Sequence, residues 1–186
     1  MLDLDLSITI CSWNTLEDTR ACLLSLQAVQ GEARFETIVV DNNSEDGSPD
    51  MIAAEFPWVR LEKMARNLGF TGGHNHAFAI RRGRHVMPLN SDTIVHPGAL
   101  SRLMAHLERH PETGVVGPKL LNPDGSLQLS ARRFPTPAAA LFRNTPLGRM
   151  FPNNRFVRAY LMEDFDHSEA TPVDWVSGAA FIAREE

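Results

Sequence analysis

The fold of this chain is decided by Ile38–Ser44 (IVVDNNS), a β-branched run that leads directly into turn-forming polar residues. A second stretch, His85–Thr93 (HVMPLNSDT), repeats the pattern, so each is predicted to be a buried strand that runs into carboxylates. Ligands of open α/β sheets bind beyond the carboxyl ends of the strands. Asp41 and Asp92 therefore predict one crevice for a polar, metal-bridged ligand, and a nucleotide diphosphate fits that description.

The composition of the 186-residue chain is that of an ordinary globular domain, with 43% hydrophobic and 22% charged residues. A net charge of −5 argues against a general nucleic-acid binder. Cys11 and Cys22 are expected to be reduced core residues, which favours a reducing, cytoplasmic compartment. The sequence shows no bilayer-length apolar stretch and no signal-peptide pattern.

Positive charge is concentrated between residues 127 and 162, where six arginines occur without an acidic residue. They are Arg132, Arg133, Arg143, Arg149, Arg155 and Arg158, interleaved with aromatic and aliphatic side chains. Such a mixture favours peripheral contact with anionic lipid, or with a lipid-diphosphate acceptor, at the inner face of the cell membrane. The alternative is that the arginines pair with the acidic first half and the aromatics fill the core.

Strand-like and helix-like segments alternate with short links, which predicts an α/β fold with a mostly parallel sheet and helices on both faces. Strands are predicted over 6–13, 36–41, 59–64, 85–89 and 114–121, with a turn at 122–125 and a hairpin partner at 127–131. The first helix is predicted to begin at residues 14–15, with a capping box of Thr15 and Asp18. Three further helices are predicted from Ser48 to Phe56, over 75–82 and from Pro97 to His110. Residues 134–166 are predicted to be loop-rich with short helices.

Four motifs occur in order and together resemble family 2 inverting glycosyltransferases of the GT-A fold. They are Ser7–Asn14 (SITICSWN), Val39–Ser48 (VVDNNSEDGS), Asn67–Asn75 (NLGFTGGHN) and Leu89–Asp92 (LNSD). Two later stretches, Gln128–Pro135 (QLSARRFP) and Val173–Ala179 (VDWVSGA), look like the bacterial rhamnosyltransferase-like branch. The resemblance implies one GT-A domain over residues 1–186, with a nucleotide-sugar-binding part at 1–121 and an incomplete acceptor-side part at 122–186.

The resemblance implies donor-binding roles for several residues. Asp41 would bond the base or ribose, Cys11 and Trp13 would line the base, and Arg66, before the glycine-rich loop, would lie near phosphate. Each has a structural alternative. Asp41 would be a turn cap, Trp13 a packed aromatic residue, and the glycine-rich loop a tight turn that needs positive φ.

The metal motif of the family would fall on Asn90–Asp92, where the first acidic position is Asn90 and the middle one Ser91. Asp92 is then the one anionic ligand for Mg²⁺ or Mn²⁺, and Asn90 or Ser91 would instead meet the ribose. The alternative is that Asp92 caps the following turn. His74 and His76 have no matched metal partner and are interpreted as polar loop and helix residues.

On the acceptor side, the resemblance implies Asp174, Trp175 and Gly178, with a core Trp175 beside a strand-starting Asp174 as the alternative. The catalytic base of the family is a later acidic motif, and Glu185–Glu186 stand too early to be it. The chain is therefore expected to be truncated before the base.

The sequence predicts the donor-binding part of an enzyme that transfers a sugar, with inversion, to a glycan or lipid-linked acceptor in cell-envelope polysaccharide synthesis. The expected donor is dTDP-rhamnose or a UDP-sugar. One alternative is a non-catalytic nucleotide-sugar-binding domain, which the missing base favours. Another is a Rossmann dehydrogenase, although the first loop lacks its glycine fingerprint.

Overall fold

The computed structural model describes residues 3–151 and 154–185. The backbone divides into two compact units. Unit 1 comprises the chain up to Pro118 and resumes at Gly178, whereas unit 2 is Lys119–Ser177. The functional division predicted near residue 121 stays a prediction.

The first nine elements alternate between strand and helix. They are β1 (Leu4–Ser12), α1 (Leu16–Ala28), β2 (Phe35–Asp41), α2 (Ser48–Glu55), β3 (Arg60–Lys63), α3 (Gly69–Ala79), β4 (Gly83–Asn90), α4 (Ala99–Arg109) and β5 (Val115–Val116). Unit 2 contains β6 (Leu120–Leu121), β7 (Leu127–Gln128), β8 (Ala131–Arg132), α5 (Pro137–Asn144), α6 (Leu147–Met150), α7 (Arg155–Leu161) and β9 (Trp175–Val176). The chain then returns to unit 1 as β10 (Ile182–Arg184).

The central sheet has six strands in the order β3-β2-β1-β4-β10-β5. The first four are parallel, and β10 runs antiparallel to both β4 and β5. The predicted mainly parallel α/β sheet is therefore confirmed. Register sets Cys11 of β1 beside Val40 on one side and Asn90 on the other, with Ser12 beside Asp41. The carboxyl ends of β1, β2 and β4 thus meet at one edge.

Helix α3 begins at Gly69, so the prediction of a glycine-rich loop followed by a helix from Asn75 was wrong. The start of α3 is stabilised by side chains from two loops. Asn67 Oδ1 accepts the N–H of Gly69 at 2.7 Å, and Asn42 Oδ1 accepts the N–H of Leu68 at 3.2 Å. A bond from the distant Asn42 leaves no periodic signal in the sequence.

Two other local predictions were also wrong. The strand predicted over residues 114–121 is divided, because β5 pairs with β10 while β6 pairs with β7. Pro118 lies between them and has no N–H to donate to a ladder. The capping box at Thr15 does not form, because its side chain makes no cap hydrogen bond and lies instead 3.1 Å from the hydroxyl of Thr19.

Unit 2 consists of two small antiparallel pairs and three short helices. The predicted turn closes the β6–β7 hairpin, with the N–H of Gly125 bonded to the carbonyl of Asn122 at 2.9 Å. The short helices predicted within 134–166 are confirmed as α5, α6 and α7. In the part of the chain that is described, no helix is both long enough and apolar enough to cross a membrane.

Candidate functional site

Asp41 ends β2 and is only 2% exposed. Its Oδ2 accepts the N–H of Ser44 at 3.0 Å, so Asp41 does cap the turn that follows. Its Oδ1 is buried and has no hydrogen-bond partner among the described residues. Because a buried carboxylate oxygen without a donor is costly, this atom is a suitable acceptor for a ligand N–H or hydroxyl.

The residue after β1 places an aromatic ring at the same edge. Trp13 is 56% exposed, so much of its ring is available to a ligand. Cys11, by contrast, packs against α3, where its thiol lies 3.6 Å from the carbonyl oxygen of Phe70. Burial raises the pKa of the Cys11 thiol to about 12, which keeps it neutral. A role for either residue in lining a base stays a prediction.

The loops after β1 and β2 are tied together around Asn14, which adopts a left-handed conformation with φ of 52°. Its N–H donates to Ser44 Oγ at 2.9 Å, and its Oδ1 accepts the N–H of Glu45 at 2.8 Å. Asp46 Oδ2 accepts the N–H of Leu16 at 2.9 Å. We call these bonds the Asn14 clasp. Sequence reasoning missed it, although asparagine is among the few residues that tolerate this conformation.

Asp46 also bonds within its own loop. Its Oδ1 accepts both the N–H of Ser48 at 3.0 Å and the hydroxyl of Ser48 at 2.6 Å. The N-cap position of α2 is Gly47 rather than Ser48, with φ of 87°. These bonds make Asp46 and Ser48 part of the turn that leads into α2.

The loop after β4 carries the predicted metal motif. Asn90 is anchored by its backbone N–H, which donates to the carbonyl of Ala179 at 2.9 Å. The hydroxyl of Ser91 accepts from Thr15 at 3.3 Å. Asp92 is exposed and makes no capping hydrogen bond to a described residue. Burial, and secondarily the charge of Asp92, raise the pKa of Cys22 to about 12.

No group of three or more His, Cys, Asp or Glu side chains suited to a metal ion occurs within residues 3–151 and 154–185. Asn90 and Ser91, which directly precede Asp92 in sequence, carry neutral side-chain oxygen atoms, and oxygen is the ligand type that Mg²⁺ and Mn²⁺ prefer. A divalent ion there would depend on further oxygen atoms from a ligand. Because β1 alone separates β2 from β4, their ends are about 10 Å apart, and an extended phosphate ester can reach both.

The segment after β3 shows why its glycines are needed. Gly69 has φ of 70°, in agreement with the tight-turn alternative. Gly73 lies inside α3, where a Cβ atom would stand 2.5 Å from the sulfur of Cys11. Gly73 therefore lets the helix approach β1. Arg66 is exposed just before this segment, and its role at phosphate stays a prediction.

His74 is a buried residue that sequence reasoning placed wrongly in a polar loop. It is 3% exposed, and its Nδ1 lies 2.9 Å from Thr9 Oγ1. Its ring packs 4.3 Å from that of Phe70 and 6.0 Å from that of Phe78, which are one helical turn away on either side. Burial lowers the pKa of His74 to about 4, so the ring is neutral at pH 7. His76, on the same helix, contacts Glu62 at 3.2 Å.

The predicted acceptor-side residues belong to both units. In unit 2, Asp174 Oδ2 accepts the N–H of Phe134 at 2.7 Å, so this side chain fixes the start of β9. Trp175 is 41% exposed, and the guanidinium carbon of Arg132 lies 5.8 Å from its ring. In unit 1, a Cβ atom on Gly178 would meet no protein atom within 4 Å. Their roles toward an acceptor stay predictions.

The strand order and the polar strand ends define an α/β ligand-binding protein of the open-sheet class. Residues 7–166 match the profile described as Glycosyl transferase family 2, and the chain belongs to this family. The predicted GT-A fold is thereby confirmed, and the alternative of a dehydrogenase is wrong.

The sequence is similar to several curated bacterial proteins. The N-acetylglucosaminyl-diphospho-decaprenol L-rhamnosyltransferase of Mycobacterium tuberculosis is 32% identical over 168 residues, which cover 82% of this chain and 53% of that protein. The succinoglycan biosynthesis protein ExoO of Rhizobium meliloti is 33% identical over 101 residues, 54% of this chain and 29% of ExoO. The chain thus spans about half the length of the rhamnosyltransferase.

The fold is similar to that of solved glycosyltransferases. TarS of S. aureus, in complex with UDP-GlcNAc, superposes with a TM-score of 0.58 at 20% identity, covering 75% of this chain and 43% of that chain. The mannosyltransferase PcManGT of Pyrobaculum calidifontis, in complex with GDP-Man and Mn²⁺, gives a TM-score of 0.56 at 20% identity, covering 65% and 36%. These likenesses establish the fold.

Proposed function

We propose that the complete protein is an inverting glycosyltransferase that uses a nucleotide-diphospho-sugar, with dTDP-rhamnose as the first choice and UDP-sugars as the second. The acceptor is a glycan or a lipid-linked intermediate of cell-envelope polysaccharide synthesis. The rhamnosyltransferase of M. tuberculosis supports the donor, because its likeness covers 82% of this chain. The observation that carries the proposal is the buried, unpaired Oδ1 of Asp41 at the edge where three strands end.

The chemistry of donor recognition follows from the strand ends. Asp41 accepts a hydrogen bond from the base imide or the ribose, and the exposed ring of Trp13 stacks on the base. The Asn14 clasp holds both loops before the donor arrives, so little ordering is required on binding. Arg66 is proposed to meet the phosphates, and Cys11 is proposed to support the site as a neutral packing residue.

The oxygen-rich loop after β4 fits a divalent ion in this scheme. Asp92 would hold Mg²⁺ or Mn²⁺, with Asn90 or Ser91 beside it, and most of the other ligands would come from the diphosphate and water. When bound, the ion supplies positive charge that stabilises the leaving diphosphate. PcManGT, which has the same fold and was solved with GDP-Man and Mn²⁺, supports a divalent ion but not the choice of ligands.

Sugar transfer further requires a base that removes the proton of the acceptor hydroxyl, whose oxygen attacks the anomeric carbon as the diphosphate leaves. Attack opposite the leaving group inverts that carbon. We assign no residue of this chain as the base. Asp174, Trp175 and Gly178 are proposed for the acceptor side. We place the protein in the cytoplasm with peripheral contact at the inner face of the cell membrane.

Calorimetric titration with UDP and dTDP, in Mn²⁺ and in chelator, tests the donor site. Asp41→Asn should weaken binding about 10- to 100-fold in either condition, because a charged acceptor is lost. Asp92→Asn should remove the benefit of Mn²⁺ and leave binding in chelator unchanged. Asp50→Asn, an exposed carboxylate on α2 paired with Lys63, is the matched control and should have no effect.

Two outcomes would contradict the assignments. Equal affinity in Mn²⁺ and in chelator for the unmodified chain would exclude the metal role of Asp92. Unchanged binding by Asp41→Asn would exclude the donor role of Asp41. The non-catalytic alternative predicts that the complete protein binds a nucleotide-sugar without transferring it, which a turnover assay decides.

A further inference from the structure

Unit 2 exposes a group of apolar side chains around Phe142. Phe142 stacks on Phe156 with ring centroids 6.0 Å apart and meets the edge of Phe151 at 6.2 Å. Phe151 is 53% exposed and Met150 is 70% exposed. Contiguous apolar surface of this kind commonly marks an interaction site. The alternative in which the aromatics of this region fill the core is therefore wrong for these side chains.

Five of the six arginines of residues 127–162 fall into two groups, and the first group is engaged within unit 2. Arg143 donates to the hydroxyl of Tyr160 at 2.8 Å, and Arg132 lies over the ring of Trp175. Arg158 pairs with Glu163 at 3.2 Å and Asp164 at 2.9 Å. Arg158 is thus paired with two carboxylates, whereas Arg132 and Arg143 are held by aromatic side chains of unit 2.

The second group borders the apolar cluster. Arg149 and Arg155 are exposed, and neither forms an ion pair with an acidic residue of the described chain. The guanidinium carbon of Arg155 lies 5.0 Å from the ring centroid of Phe156, so charge and apolar surface are adjacent. Arg149 precedes the exposed Met150 directly. Residues 127–162 contain no acid, and the two acids that follow, Glu163 and Asp164, pair with Arg158.

We propose that Arg149, Met150, Phe151, Arg155 and Phe156 form a surface that adsorbs to anionic lipid bilayers. The apolar side chains would enter the boundary between headgroups and acyl chains, while the two arginines meet lipid phosphates. The excess of positive charge beside apolar surface is complementary to an anionic membrane. This inference rests on the peripheral membrane contact proposed above and assigns it to particular residues.

Co-sedimentation of the 186-residue chain with lipid vesicles tests the surface. Vesicles of phosphatidylcholine alone are compared with vesicles that also contain phosphatidylglycerol, at low and high salt. We expect adsorption to the anionic vesicles only, falling with salt as the charges are screened. The double variant Arg149→Gln with Arg155→Gln should lower the partition coefficient about 30-fold, because each basic residue near such a surface contributes about fivefold.

Arg158→Gln is the matched control, because it removes one positive charge from an exposed residue of α7 whose charge is already paired. It should lower the partition coefficient by less than about twofold. The variant Phe151→Ser tests the apolar contribution without changing charge and should lower it about tenfold. Circular dichroism confirms that each variant is folded before it is compared.

Several results would overturn the inference. One is the absence of adsorption to anionic vesicles at low salt, and another is adsorption to neutral vesicles as strong as to anionic ones. A third is a loss of adsorption in the Arg158→Gln control as large as in the double variant. Size-exclusion chromatography that shows a dimer dissociated by Phe151→Ser would also overturn it in favour of self-association. Titration of the same samples with UDP or dTDP separates the two proposals, because a chain that binds nucleotide but not vesicles contradicts only the lipid surface.

Discussion

Replacement of Gly73 by alanine measures how closely α3 approaches β1. The new Cβ atom would lie 2.5 Å from the sulfur of Cys11, whereas its other neighbours are Asn42 Nδ2 at 3.5 Å and Cys11 Cβ at 3.6 Å. Overpacking of this kind costs about 1–3 kcal/mol, and alanine in a helix gains back about 1 kcal/mol over glycine. Gly73→Ala should therefore lower the free energy of unfolding by up to about 2 kcal/mol.

The sign of this effect should reverse when the sulfur is removed. In a Cys11→Ala background only ordinary van der Waals contacts remain, so Gly73→Ala should stabilise the chain by up to about 1 kcal/mol. Urea unfolding of the four proteins, followed by circular dichroism, gives a double-mutant cycle. Gly114→Ala, at a site where a Cβ meets nothing within 4 Å, is the control. A Gly73→Ala effect that is the same in both backgrounds would refute the steric explanation.

Three other properties can be tested on the same chain. Asn14→Gly keeps the left-handed backbone but loses the side-chain hydrogen bond of the Asn14 clasp. Calorimetry should therefore show UDP or dTDP binding weakened about tenfold. Asn14→Asp keeps the acceptor oxygen and should retain most of the affinity of the unmodified chain. His74 is held neutral with its pKa lowered to about 4, so the unfolded chain binds the extra proton and stability should fall as pH drops from about 6.5 toward 4. Over that pH range the urea midpoint of His74→Gln should fall less than that of the unmodified chain or of the His76→Gln control. An equal fall in all three proteins would refute the role of His74 in the pH dependence. The thiols of Cys11 and Cys22, with pKa values raised to about 12, should react with a disulfide reagent at pH 8 only in denaturant, and rapid labelling of the folded chain would contradict their burial.

The sequence alone was sufficient to predict those strands and helices that depend on local patterns. The strands that end at Asp41 and Asn90 were predicted, because alternation and β-branching indicate a strand from the local sequence alone. The start of α3 was not predictable in this way, since a side chain from the loop after β2 stabilises it. The burial of His74 was missed as a consequence, because its position depends on where that helix begins.

The candidate site shows the same division between local and distant information. Asp41 was identified from its motif, but the lack of a partner for its Oδ1 could be seen only once the neighbouring strands were in place. Likewise, the six arginines of residues 127–162 look equivalent in the sequence. Tertiary contacts separate Arg143 and Arg158, which have partners, from Arg149 and Arg155.

The position of β10 has a consequence for how the protein is made. This strand follows unit 2 in sequence but lies between β4 and β5 in the sheet, so Val115–Val116 can join the sheet only after residues 182–184 have been synthesised. The four parallel strands are complete much earlier and can form while the ribosome is still translating unit 2. Because β5 and β10 are separated in sequence by the whole of unit 2, their pairing is a non-local contact and is expected to form late in folding.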